Sequence, residues 1–170
     1  FTFARFPQQL CPFTLDVEAV RGFLGEVELV RHREEDGPGI GIALAKAVAV
    51  LMESDAESRV IVILTAGENN LPQIPPGQAG AMAAEEGIRV YTVFAGRYVY
   101  DPFGRRMRSE QLIDTTELKR IAEITGGRFF RARDRKGLEA AYAEIEALER
   151  TPREERRFVE HYDLYFELLR

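Results

Sequence analysis

The chain has no tryptophan, a single cysteine and two histidines among its 170 residues. One cysteine cannot form an internal disulfide, and Cys11, between Leu10 and Pro12 with no CxxC partner, reads as a buried structural thiol, not a nucleophile. His32 and His161 lie in polar stretches far apart and read as surface residues. The serines are Ser54, Ser58 and Ser109, none of them in a strand-to-helix elbow. Paired carboxylates such as Glu34-Glu35 and Glu85-Glu86 read as solvated loops and helix ends, not acid/base pairs of tuned acidity. Nothing in the chain assembles a catalytic set, so the expectation is a protein that is not an enzyme and has no small-molecule substrate.

Positive charge is not in excess either. Lys and Arg number 23 against 28 Asp and Glu, a net charge of −5, which argues against a general nucleic-acid binder that must neutralise phosphates. Arg105, Arg106 and Arg108 form a local basic spot, read as solvated. No apolar stretch reaches the roughly 18 to 20 residues needed to cross a bilayer, and no signal peptide opens the chain. Because Phe1 to Arg5 is already strand-like and no initiating Met precedes it, the expectation is a piece of a longer protein.

What is present fits one globular domain with a sizeable core: 45% of the residues are hydrophobic and 30% charged. The domain is expected over residues 1–150. A tail over 151–170 is charged at first and then aromatic, with Phe158, Tyr162, Tyr165, Phe166 and Leu169 on one helical face. It either packs on the domain or approaches a membrane.

Strands and helices alternate along the domain. Phe1 to Arg5 reads as a strand, followed by a Pro-bearing loop. Thr14 or Asp16 caps a helix to about Glu26, with Val17, Val20 and Leu24 on one face. The charged loop Arg31 to Asp36 leads through Gly37-Pro38-Gly39 to a helix over Ile40 to Glu53, apolar on much of its circumference. Arg59 to Thr65 is a strand apolar on both faces, as in parallel sheets. Leu71 to Gly77, with three prolines, reads as a loop.

An Ala-rich helix then stops at Gly87, and Ile88 to Ala95 is a second buried strand. Tyr98 to Ile113 is a polar excursion in which Asp101-Pro-Phe-Gly104 heads a hairpin. Asp114 and Glu117 form a capping box for a helix ended by Gly126-Gly127. Arg128 to Arg131 is a further strand, and Asp134 caps a last helix carrying Leu138, Tyr142, Ile145 and Leu148. The order implies an α/β fold, a parallel sheet covered on both faces.

In such sheets ligands bind beyond the carboxyl ends of the strands. The Arg59–Thr65 strand runs into Ala66-Gly67-Glu68-Asn69-Asn70. A carboxylate directly after the strand would be a natural cation ligand; Ala66 offers a methyl group. Gly37 to Gly41 opens a helix, where amides and the helix dipole favour anions. An anion- or nucleotide-binding site there is the alternative reading. Those glycines follow a charged loop instead of a strand, and Lys46 lies well inside the helix, so the dinucleotide context is missing.

Cys11-Pro-Phe-Thr-Leu-Asp16, Asp36-Gly37 before Ile40-Gly41, Val62-Ile-Leu-Thr65 before Gly67-Glu-Asn-Asn70, and Gly87-Ile-Arg-Val-Tyr-Thr92 together resemble the von Willebrand factor A domain. Asp101-Pro-Phe-Gly104 and Ile121-Ala-Glu-Ile-Thr-Gly-Gly-Arg-Phe-Phe130 narrow the resemblance to the bacterial aerotolerance (Bat-type) branch. The resemblance spans nearly the whole chain, in order. It implies a Rossmann-like three-layer sandwich with a mainly parallel sheet, here without its first strand and helix. It also implies a metal-ion-dependent adhesion site, where Mg²⁺ or Mn²⁺ is held by an Asp-x-Ser-x-Ser loop, a Thr and an Asp, and a partner's carboxylate completes the shell.

This chain departs from that pattern. The Asp-x-Ser-x-Ser loop is absent, the Thr position is Pro38 and the Asp position is Ala66. The site thus reads as degenerate, with no cofactor. Asp36, Glu68 and Asn69 leave oxygens nearby, either rebuilding a shifted site or serving as turn and cap residues. Asp36, Gly37, Gly39, Glu68 and Asn69 are the candidate partner-binding residues, and a protein is the expected partner. The resemblance further implies a parent protein anchored in a bacterial membrane, with this domain on the extracytoplasmic side.

Overall fold

A computed structural model describes residues 1–27, 39–56, 58–66, 73–96, 98–100, 103, 105–108 and 113–150. Its centre is a parallel sheet in the order β3-β4-β7, formed by β3 (Val60–Thr65), β4 (Arg89–Ala95) and β7 (Phe129–Ala132). Strand β4 is the middle strand, and five consecutive residues, Val90 to Phe94, are buried there. That follows from its two strand neighbours and a helix layer on each face, the setting that favours unbroken apolar strands.

On one face lie α2 (Ile40–Met52), α3 (Pro76–Glu85) and α4 (Thr116–Ile124). They enclose the larger core with Ile63, Val90 and Phe94 of the sheet. On the other face lies α5 (Arg135–Arg150), whose Ala141 and Ile145 pack on Tyr91, Val93 and Ala132. The result is the α/β three-layer sandwich expected. Gly87 and Gly126 turn the chain out of α3 and α4 at φ +64° and +72°, a region where a Cβ is penalised.

The α5 cap is as expected: the Gly137 amide donates to the Asp134 carboxylate at 2.8 Å. The hairpin is also as expected, β5 (Tyr98–Tyr100) pairing antiparallel with β6 (Arg106–Arg108).

Several local readings are corrected. The first strand is shorter than expected: β1 (Thr2–Phe3) folds back on β2 (Pro7–Gln8) as a small antiparallel pair. Helix α3 begins at Pro76, inside what reads as a proline loop, because a proline in the first turn gives up an amide that has no partner there anyway. Helix α4 starts one residue later than a box on Asp114 places it. Asp114 Oδ1 accepts the Thr116 amide at 2.8 Å while Thr115 is the cap residue. Strand β3 is not buried on both faces; Ile63 and Thr65 are buried and Leu64 is exposed. Helix α1 (Val17–Gly25) forms under its Asp16 cap, whose carboxylate accepts from Glu18 and Ala19, yet it buries no residue. The tail over 151–170 lies outside the described residues.

Candidate functional site

The three parallel strands end together. Thr65, Phe94 and Arg131 are partners in register, one from each strand, and Ala66 follows at the carboxyl edge. Register partners in a parallel sheet share a face, so these three side chains form a row spanning two inter-strand spacings, about 10 Å. The row lies on the α2-α3-α4 side, because Phe94 belongs to that core.

Of the residues singled out in the sequence, Asp36, Gly37, Pro38, Glu68 and Asn69 lie outside the described residues. Gly39 and Ala66 lie within them. Ala66 is exposed at the end of β3 and presents only a methyl group, which has no lone pair for a hard cation. Among the described residues no three His, Cys, Asp or Glu side chains gather as a metal site would require. The donors present at this edge therefore do not fit the ion that the resemblance implies.

Gly39 is buried and its amide donates to the Ala4 carbonyl at 2.8 Å. One amide at the start of α2 is thus already used by the N-terminal segment. Two residues on, a Cβ at Gly41 would overlap the Ile74 carbonyl oxygen. The Ile74–Pro75 backbone lies against the first turn of α2, and Gly41 lacks a side chain for that packing. The structure brings the start of α2 and the approach to α3 together at the same edge.

Across the row, the Arg131 guanidinium carbon lies 4.8 Å from the centre of the Phe94 ring and 5.9 Å from that of Phe129. These are cation–π distances. Arg131 Nη2 donates to Thr115 Oγ1 at 3.2 Å, and Thr115, 6% exposed, makes no capping bond of its own to α4. Arg131 Nη1 is buried without a hydrogen-bond partner. Next to Thr115, the Asp114 carboxyl is held below its usual acidity range, first by the Thr116 hydroxyl and then by the Thr116 amide. Sequence reasoning did not single out Arg131. Its one signal is a charged residue inside the otherwise apolar strand Phe129-Phe130-Arg131-Ala132.

The opposite pole carries a different polar group. Glu149 Oε1 accepts from the Tyr91 hydroxyl and from Arg89 Nη1, both at 2.7 Å. Burial, and then the Glu149 bond, raises the Tyr91 phenol above its usual value. With every partner accounted for, this cluster ties α5 to the start of β4.

A family model described as the von Willebrand factor type A domain matches residues 2–144. None of the curated proteins compared with the chain matches it. Among solved structures, the conserved hypothetical protein BatB from Bacteroides thetaiotaomicron superposes with a TM-score of 0.65 at 23% identity, covering 86% of this chain and 76% of that one. An aerotolerance-related membrane protein from Bacteroides fragilis gives 0.64 at 20% identity, with the same 86% and 76% coverage. A membrane-spanning protein from Vibrio fischeri is 30% identical over 86% of this chain and 73% of that chain, with a TM-score of 0.47, too low for its superposition to carry an argument.

Proposed function

The chain belongs to the von Willebrand factor type A family, and from that premise we propose that it is a non-enzymatic protein-interaction module whose metal-ion-dependent adhesion site is degenerate. The observation that carries the reading is Ala66, a methyl exposed at the sheet edge directly after Thr65, where the family pattern has a metal-binding carboxylate. Pro38 stands at a second ligand position and likewise brings no side-chain oxygen. Partner recognition then rests on polar and shape contacts from the loops around Gly37 and Glu68.

The anion or nucleotide alternative at Gly37–Gly41 has less support. The Gly39 amide is used by Ala4, and the Ile74 carbonyl lies where Gly41 begins the helix. A parent protein tethered in a bacterial membrane, with this domain outside the cytoplasm, is part of the proposal; two of the similar structures are named as membrane proteins. Among the described residues no helix is long and apolar enough to cross a membrane.

Thermal unfolding in the presence of Mg²⁺ and Mn²⁺ tests the metal half, since a ligand bound only by the folded state raises its stability. The expected result is no chelator-reversible shift up to millimolar ion; a clear rise would restore metal-dependent adhesion. For the partner half, Glu68→Ala with Asn69→Ala is expected to abolish partner capture while leaving the melting temperature unchanged.

A further inference from the structure

We propose that Arg131 is a carboxylate receptor at the carboxyl edge of the sheet, its guanidinium held against Phe94 and Thr115 to take an Asp or Glu side chain of a protein partner. The inference rests on the reading of this face as a partner-binding surface and names the chemistry recognised there.

The first argument is what Arg131 lacks. A guanidinium has five N–H donors and never loses its charge at ordinary pH. Here Nη1 is buried with no acceptor, and the described ion pairs do not include Arg131. The other arginines of the body differ: Arg89 pairs with Glu149, Arg128 with Glu144 and Arg135 with Glu139. A partly buried cation with an unmade hydrogen bond is unfavourable unless an anion completes it. Native structures leave few such groups, and each calls for a reason.

The second argument is what holds Arg131 in place. Ring contacts from Phe94 and Phe129 flank the guanidinium, and Thr115 Oγ1 accepts from Nη2. Thr115 is itself nearly inaccessible, so it is a fixed acceptor. A side chain with many rotamers is thereby held in one, and the ordering cost of binding falls accordingly. Planar, forked N–H groups match a carboxylate in a two-point pair, which a lysine cannot reproduce.

The third argument is position. Arg131 shares the last full rung with Thr65, immediately before Ala66 and about 10 Å away across the sheet. An arginine there supplies a fixed positive charge on the same edge as the Ala66 position. A carboxylate recognised in this way needs no divalent ion.

Arg131→Met and Arg131→Lys, compared with the unaltered protein, test this by thermal unfolding. The probe is sodium acetate, with sodium chloride and sodium phosphate as controls at equal ionic strength. The unaltered protein should show a saturable rise in Tm with acetate, about 3 to 6 °C at a tenfold excess over the dissociation constant for a domain of this size. Arg131→Met should melt higher than the unaltered protein in chloride, having lost an uncompensated charge, and should not respond to acetate. Arg131→Lys should keep the charge and lose most of the response.

If acetate acts no more strongly than chloride, or phosphate acts as strongly as acetate, the carboxylate assignment is overturned. If Arg131→Met melts lower and acetate has no effect, Arg131 is a packing group for Phe94 and not a receptor. The probe needs no partner, so this result is separate from partner capture: capture lost in Glu68→Ala/Asn69→Ala while acetate fails would leave the interaction module standing without this receptor.

Discussion

Leu64 and Val93 are register partners on the same face of the sheet, yet Val93 is fully buried and Leu64 is 40% exposed. Both belong to apolar strands of similar composition. The difference is in their surroundings. Strand β4 has a strand on either side, and α5 packs over it and β7. Strand β3 has β4 alone among its described neighbours, and α5 does not extend across its outer face. An apolar run in a sequence states what can be buried; the neighbouring elements decide what is.

The largest expected effect sharpens that contrast. Val93→Ala should destabilise the domain by about 2 kcal/mol, through lost burial and the cavity left behind. Leu64→Ala removes more carbon yet should cost below about 1 kcal/mol, because much of that side chain already meets water. Urea unfolding of the two variants measures the difference. Equal losses would break the comparison and mean that the outer face of β3 is covered in solution.

A smaller effect belongs to the amino pole of the same central strand. Tyr91→Phe removes the bond to Glu149 and should cost about 1 kcal/mol near neutral pH. Its pH dependence has a definite sign. The folded state holds the phenol above its unfolded value of about 10. Above that pH the folded protein keeps a proton that the unfolded chain releases, so this stabilisation is complete below it and is lost as pH rises through the folded value. The gap between the unaltered protein and Tyr91→Phe should therefore shrink in alkaline solution. A gap that widens there would mean that the phenolate, not the phenol, is favoured by the fold.

The smallest effect is expected in α1. Leu24 is 61% exposed and no residue of the helix is buried, so Leu24→Ala should lie within about 0.5 kcal/mol of the unaltered protein. A loss of several times that would show that α1 packs on something in solution, and would bring it into line with the body.

Much of this fold was legible because it is written in local chemistry. Asp16 and Asp134 read as caps because a carboxylate accepts the unpaired amides of a first turn; Gly87 reads as an end because only glycine takes its backbone angle at no cost. The hairpin between Tyr98 and Arg108 follows from its turn residues. Less legible were features set by tertiary neighbours. Pro76 looks like part of a loop until it is seen to be the first residue of a helix. Val17, Val20 and Leu24 carry a helical period that no described partner meets, so periodicity marked a face without naming its cover. At the site, Ala66 was conspicuous by what a ligand loop should have held. Arg131 was not, since its significance depends on Phe94, from another strand, and on Thr115, sixteen residues earlier in the chain.

The tie from Glu149 to Tyr91 and Arg89 also has a mechanical consequence. A pull applied to the carboxyl-terminal end of α5 reaches Glu149 one residue before the end of the helix, and from there it is carried by two hydrogen bonds into the first residues of β4. Strand β4 runs from that pole to the edge where Phe94 and Arg131 stand. Tension between a tether at one pole and a partner at the other would therefore pass along the stiffest strand of the domain, loading its ladder in shear and leaving the Thr2–Gln8 hairpin and α1 out of the line of force.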